Sequence, residues 1–435
     1  MAAWRRTCIL GLVCTLATCV MGQTLPAPVP ETLSLSQAEQ LALQNNPRIA
    51  VARLLALAEG QVTREFRSAE LPLLTGNVTA VMPHDGSRIT AGALNNPSVY
   101  QRAAGGVTLS QLLTDFGRTR NLVSSADLRA RAEQSAQLAT TADVIVAVDE
   151  AYLRALGAQA VLKVATETVA ARQTTSDHVG ALTGAKLKST LDLSFANVNL
   201  SQAKLLLLDA QNQQRTAVSS LNALLGNEQA VAFTLLEDSS NSLAPPPEDA
   251  EPLVAQAFQS RPDLISLQQQ FAASQKFSAA EHDLRRPTIS ALGTVGGTPV
   301  RTDQIASPWY GAVGINVSVP LFNGFLFSAR AAEADLRAQA VDKQVAELRQ
   351  AIARDVRTTV LQAQSNFQRI AVTQQLLEQA NSAFDLAQTR YKFGLSSIVE
   401  LSQAQLAQTQ AQIDYATARY SYQGSLAAIR YQVGR

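Results

Sequence analysis

This chain carries few chemically reactive groups. Three of its 435 residues are cysteine and three are histidine. Cys8, Cys14 and Cys19 all lie near the start, so the rest of the chain offers no disulfide and no thiol chemistry. His84, His178 and His282 are scattered, with no pair at metal-ligand spacing. A glycine-rich phosphate loop of the required form is absent. The serine of "GVTLSQLL" has nothing to suggest a base beside it. The residues therefore point away from an enzyme and call for no cofactor or metal. Charged residues make up 16%, against about a quarter in an average domain. The net charge is +1, which leaves no electrostatic footprint for nucleic acid. Aromatics are scarce at 5%, and Ala, Gln, Ser, Thr and Asn take their place. After the first 22 residues no apolar run reaches about 18, which excludes a membrane-spanning helix. Any insertion into lipid must then be by strands.

What is present is a duplication. "ADLRA" at Ala126–Ala130 returns unchanged at Ala334–Ala338, 208 residues later. The same offset pairs Leu113 with Leu321, Asp192 with Glu400, Ser194 with Ser402 and Gly226 with Gly434. Upstream an offset of 215 pairs Pro47 with Pro262 and Pro72 with Pro287. The offset changes between Pro72 and Leu113, which puts seven extra residues in an exposed loop of the first copy.

Residues 1–22 read as a secretory signal, with Arg5 and Arg6 before the apolar run Cys8–Val20 and small groups before Gln23. "LATC" resembles a lipoprotein cleavage site, which makes Cys19 a candidate for lipidation. Residues 23–71 then read as the helices of a first repeat, opened by a capping box at Ser36-Gln37-Ala38-Glu39. A β-hairpin is expected over 72–113 around a loop at about 83–104, and long helices over 114–240. After a Pro-rich linker at 241–252 the pattern repeats. Helices are expected over 253–286, a hairpin over 287–321 around a loop at about 298–308, and long helices over 322–435.

The expected strands alternate. Leu74, Gly76, Val78, Ala80 and Met82 face away from Thr75, Asn77 and Thr79, and Val107 and Leu109 away from Thr108 and Ser110. Val313, Ile315, Val317 and Val319 oppose Ala312, Gly314, Asn316 and Ser318. Thr288–Gly297 repeats the pattern more weakly. This is the length and period of a transmembrane β-strand, with Trp309 and Tyr310 at an interfacial position. Half-buried hairpins of soluble sheets alternate in the same way. The helices lack proline from about Gly117 to Thr175 and from about Phe325 to Tyr391. Some 60 residues make a rod of roughly 90 Å. Seams at four- and three-residue steps run Val148, Tyr152, Ala155, Gln159, Leu162, Thr166, Val169, and Val356, Val360, Ala363, Phe367, Ile370, Gln374, Leu377, Asn381, Phe384, Gln388, Tyr391. A seven-residue stripe marks the last helix: Val399, Leu406, Ile413, Tyr420, Ala427. Diluted seams of this kind suit helices packed edge to edge as a wall; heptads alone equally fit a coiled coil.

Strands in a bilayer cannot leave open edges, so they close into a barrel. Four cannot close, eight fill their own interior, and twelve leave a lumen. The fold expected is a mixed α and β membrane protein: a trimeric, twelve-stranded transmembrane β-barrel, four strands per chain, continued by a long α-helical barrel. The competing reading is an elongated coiled-coil structural or adhesin-like envelope protein without a channel.

"LSLSQAEQLALQNNPRI", "LLTDFGRTR", "PLFNGFLFSAR" and "RYKFGLSSIVELSQAQL" resemble the TolC-like outer membrane efflux proteins of Gram-negative bacteria, over nearly the whole mature chain. The resemblance implies a homotrimeric exit duct in outer-membrane lipid, its helical part in the periplasm, serving a tripartite efflux or type I secretion system. It also implies a periplasmic adaptor protein and an inner-membrane pump. By motif position Asp192 and Tyr391 resemble a pair that ties neighbouring helices in the shut state, and Glu400 falls where a carboxylate lines the constriction. Ser396 stands where the family's best-known member has an arginine. Gly394-Leu395-Ser396 resembles the adaptor-docking turn, while "GALTGAKLKST" in the first copy is less regular. The barrel lumen is expected to be lined by Thr75, Asn77, Thr108, Ser110, Asn316 and Ser318.

Overall fold

The computed structural model describes residues 32–84, 100–229, 231, 233–237, 244–301, 303 and 305–434. The expected leader with Cys19, most of the first external loop and part of the linker lie outside the described residues. In chain order the elements are β1 (Thr32–Leu33), α1 (Leu35–Asn45), α2 (Pro47–Ser68), β2 (Leu73–Val81), β3 (Arg102–Thr114), α3 (Arg118–Gly184) and α4 (Thr190–Leu224). The second copy supplies β4 (Thr234–Leu235), α5 (Glu251–Ser260), α6 (Pro262–His282), β5 (Thr288–Arg301), β6 (Trp309–Ser318), α7 (Leu326–Lys392) and α8 (Ile398–Gln432).

The duplication is kept residue by residue in the long helices. α3 and α7 have 67 residues each, α4 and α8 35 each. At about 1.5 Å per residue the longer pair spans roughly 100 Å. α3 runs nine residues past Thr175 because nothing between there and Gly184 breaks a helix. The strand-to-helix junctions are also paired. Phe116 and Gly117 have φ of 57° and 113°, and their counterparts Gly324 and Phe325 have 63° and 67°. Two successive left-handed residues reverse the chain in each copy, yet each copy supplies only one glycine, so a Phe takes the other place at a steric cost. In the first copy the Asp115 carboxylate holds this turn, accepting from the Thr119 amide at 2.7 Å and the Thr119 hydroxyl at 2.6 Å.

The helices form a wall. α3 has α2 and α6 beside its first half and α4 and α8 beside its second, and α7 lies beyond α6 and α8. Ser125 and Ser135 reach α6, while Arg172 and Gly157 meet α8. Around the middle of α3 the short elements pack as a collar. β1 and β4 pair in parallel, and the Tyr152 hydroxyl lies 2.7 Å from the carbonyls of Leu33 and Leu236. Gly226 and Gly434, each at φ +78°, end α4 and α8 against Asn45 and Ser260, where a Cβ would meet backbone atoms.

Several local expectations are corrected. The capping box is Ser34 with Gln37, two residues before Ser36: Ser34 N–H donates to Gln37 Oε1 at 2.9 Å, and Ser34 Oγ accepts from the Gln37 amide. Residues 102–104 and 298–301 are strand, not loop, because the hairpins extend as paired ladders to Arg102 and Arg301. The seam of α7 holds at Val356, Val360, Ala363, Ile370 and Tyr391, all buried, and is shifted by one residue at the positions between them. Asn366, Thr373, Ala380 and Ala387 are buried at a strict seven-residue step, and Gln374 is exposed. In α3 Ala165 and Thr168 are buried and Thr166 is exposed. Of the stripe expected in α8, Ala427 is buried and Tyr420 packs against the core, Ile413 is half-buried, and Val399 and Leu406 are exposed.

Candidate functional site

The four-stranded sheet has the order β2-β3-β5-β6, antiparallel throughout. Directly paired residues share a face. Thr75 pairs with Thr108, Thr108 with Thr294 and Thr294 with Ala312, which puts Thr75, Asn77, Thr108, Ser110, Asn316 and Ser318 on one face. The Thr108 and Thr294 hydroxyls are 3.5 Å apart across the ladder. Leu74, Leu109, Gly293 and Val313 align on the other face. There Val78 is 90% and Val313 92% exposed. Trp309 belongs to this apolar face. Tyr310 does not; its ring lies on the polar face over Gly106 and Gly296, a place open only because neither has a side chain. The expectation of an interfacial role for both aromatics is therefore corrected for Tyr310. Among the described residues β2 and β6 have no strand beyond them.

At the opposite end, α3–α4 and α7–α8 are hairpins whose tips are superimposable in pattern. Lys186 at φ +63° and Gly394 at φ +73° close them. Lys186 N–H donates to Thr183 O and Leu187 N–H to Leu182 O; Gly394 N–H donates to Tyr391 O and Leu395 N–H to Arg390 O. The first tip is thus as regular as the second, with lysine standing where glycine is preferred. Leu187 and Leu395 project from the tips, 71% and 69% exposed.

Asp192 and Glu400 take equivalent positions in the first turns of α4 and α8. The Asp192 carboxylate accepts from the Ser189 amide at 3.3 Å, completing a capping box. Glu400 pairs with Arg390 at 3.2 Å within its own hairpin. The Tyr391 side chain is buried between the two hairpins with Val179, Ala196, Ile398 and Leu401. Its hydroxyl is buried without a hydrogen-bond partner, so no bond to Asp192 is made here. Burial first, and then the Asp192 carboxylate, push the Tyr391 phenol above its ordinary value. Ser396 Oγ is likewise buried and unpartnered.

The sequence profile of the outer membrane efflux proteins matches this chain twice, over residues 38–227 and 253–435, one match for each copy. The chain belongs to the outer membrane efflux protein family. The solvent efflux pump outer membrane protein SrpC and the toluene efflux pump outer membrane protein TtgI, both of Pseudomonas putida, are each 24% identical over 373 residues. That span is 84% of this chain and 77% of theirs. Among solved structures, the outer-membrane channel OprN superposes with a TM-score of 0.80 at 20% identity, covering 92% of this chain and 89% of that one. CusC gives 0.81 at 19%, covering 92% of each. The fold is that of the TolC-like outer membrane channels.

Within this efflux-protein frame two basic residues escaped the sequence reading. The positive charge missing at Ser396 stands at the duplicate position, Lys188, in the other tip. Lys188 Nζ lies 4.2 Å from the centre of the Tyr391 ring, so it bridges the hairpins through the ring face and not the hydroxyl. The 208-residue offset was the signal that could have found it. Arg390, partner of Glu400, had no such signal. Across the hairpins Asn199 Nδ2 also donates to Ser402 Oγ at 2.6 Å.

Proposed function

We propose that three copies of this chain close edge to edge into a conduit, with twelve strands in the outer membrane and the helical wall continuing beneath it. The observation that carries this reading is the sheet. One face carries the Thr, Ser and Asn side chains of the four strands, interrupted by Leu73 and Leu292, the other is apolar, and among the described residues both edges are unpaired. An unpaired edge cannot lie in lipid, because each bare N–H and C=O there costs several kcal/mol. The apolar face then meets lipid, and Thr75, Asn77, Thr108, Ser110, Asn316 and Ser318 line the lumen. The edges of the helical wall support the same closure. Leu54 and Leu55 on α2, Leu205 and Leu208 on α4, and Leu361 and Leu386 on α7 are all exposed. Abutting copies would cover them.

In this reading the conduit is the exit duct of a tripartite system. The projecting tips, with Gly394, Leu395 and Ser396 in one copy and Lys186 and Leu187 in the other, meet a periplasmic adaptor that links the duct to an inner-membrane pump. Asp192, Tyr391, Glu400 and Ser396 sit where parting of the hairpins opens or closes the passage. Catalysis has no part in this reading.

Reconstitution tests it. Purified protein should migrate as a heat-modifiable trimer and pass ions as discrete steps in a planar bilayer. Monomeric, detergent-independent material without conductance refutes the conduit and returns the coiled-coil envelope protein.

A further inference from the structure

Arg172 is a buried cation without an ion pair among the described residues. It lies on α3 where α4 and α8 diverge above the Asn199–Ser402 hydrogen bond, and it is 7% exposed. A guanidinium carries five N–H donors. Arg172 uses one, towards the Thr409 hydroxyl at the long distance of 3.4 Å. No carboxylate pairs with it among the described residues. Burial alone lowers it to about 10, with no acidic neighbour acting in the other direction. A second copy does not supply one readily, because α3 has helices of its own chain on both sides.

The side chain lines a cavity of about 190 Å³ between the three helices. The volume suits about six waters, or one small anion with fewer. Its other polar walls are Thr168 of α3, Asn199 and Gln202 of α4, and Ser402, Thr409 and Gln410 of α8, set among leucine, isoleucine and alanine side chains. Asn199 Nδ2 donates to Ser402 Oγ and Gln410 Nε2 to Asp414 Oδ1, which leaves each amide one further N–H, and none of the lining residues is acidic. A buried cation facing a carboxylate-free cavity with mixed polar and apolar walls lacks one component, its counter-charge.

We propose that this cavity is a binding site for a small inorganic anion, of halide to phosphate size, held by the Arg172 guanidinium and the flanking amides. Arg172 belongs to the first hairpin and Thr409 and Gln410 to the second, so the bound anion braces the two hairpins above their tips. The site does not depend on the conduit reading; it requires only the packed wall.

The test uses full-length protein in detergent. Helix unfolding followed by circular dichroism is compared in potassium chloride, bromide and gluconate at equal ionic strength. Gluconate, a bulky and weakly coordinating carboxylate outside the halide-to-phosphate range, serves as the control. The midpoint should rise by several degrees in chloride and bromide and saturate in the millimolar range. Arg172→Met should abolish that dependence, and Arg172→Lys should keep part of it. Crystals soaked in bromide should show an anomalous peak within hydrogen-bonding distance of the guanidinium. Equal midpoints in all three salts overturn the proposal, as does an anion effect that survives undiminished in Arg172→Met. Should that variant fail to fold, the bromide peak in the unaltered protein decides, and its absence overturns the site.

Discussion

The contact between Lys188 and Tyr391 makes a prediction of unusual sign. Two interactions could tie the hairpins through Tyr391: a hydrogen bond from its hydroxyl to Asp192, or the attraction of Lys188 to its ring. The structure has the second, at 4.2 Å, and leaves the hydroxyl unpartnered. A half-buried cation on an aromatic face contributes about 1 kcal/mol, between the exposed and the desolvated cases. Lys188→Met keeps the stem and removes the charge, so it shifts each chain's ratio of parted to packed hairpins roughly fivefold, at 1.4 kcal/mol per factor of ten. If three chains part together the shift is roughly a hundredfold. Tyr391→Leu loses the ring and should do at least as much. Tyr391→Phe keeps the ring and deletes a buried hydroxyl whose desolvation is uncompensated, a penalty of about 1–3 kcal/mol. It should therefore hold the tip shut more firmly. Single-channel recording in planar bilayers at low salt reads this as opening frequency: raised in Lys188→Met and Tyr391→Leu, unchanged in Lys188→Arg, lowered in Tyr391→Phe. Opening in Tyr391→Phe equal to that in Tyr391→Leu would refute the ring contact and restore the hydroxyl tie.

Two further expectations follow from burial and register. Asp149 on α3 is 5% exposed and has one oxygen without a donor. Burial first, then Glu39, raise its pKa from 3.8 to about 7, against the lowering influence of Arg430 at 3.5 Å and with a smaller raising contribution from Glu150. The folded state thus holds this proton more tightly than the unfolded one. Its contribution to stability is complete below pH 4 and is lost as pH rises towards 7, by at most about 1.4 kcal/mol per pH unit. Asp149→Asn should flatten that slope in thermal melts taken across the range. In the sheet, Val313→Lys places a charge on the outward apolar face and should cost about 2–4 kcal/mol near the bilayer midplane. Asn316→Lys, on the other face, should leave assembly intact and turn ion selectivity towards anions. Unboiled gel migration and reversal potentials separate the two, and equal loss of assembly would contradict the assigned faces.

How much of this was legible in the sequence depended on whether a signal was local. The strands were legible because a period of two and a fixed register carry the face assignment from one strand to the next: Thr75, Thr108 and Asn316 needed no tertiary information to be placed together. The long helices were legible from the absence of proline and from the 208-residue repeat. The seams were legible in part: Val148, Tyr152, Val356, Val360 and Tyr391 are buried as their spacing implies. Past Ile370 the helix turns Thr373 and not Gln374 towards its neighbour, and that facing is set by the partner. The α8 stripe shows this best. Leu406 and Ile413 have the spacing of a core, yet they line the groove between α4 and α8 over α3. Arg172 and Asp149 had no sequence signal at all, since their isolation is a property of packing.

The tip shows what duplication permits that a simple repeat does not. Had both copies kept lysine at the paired positions 188 and 396, each chain would bring two like charges to one narrow end, and three chains six. Mutual repulsion would then oppose the approach of the hairpins. With lysine in one copy and serine in the other, the cation can lean on the ring that only the second copy supplies, because Tyr391 is matched by Thr183 in the first. Asp192 and Glu400, by contrast, are acidic in both copies, each in the first turn of its helix and each engaged within its own hairpin, Asp192 with the Ser189 amide and Glu400 with Arg390. At the tip, the lysine and tyrosine that meet across the hairpins are both positions where the copies diverged, and it is there that substitutions should alter opening without altering the fold.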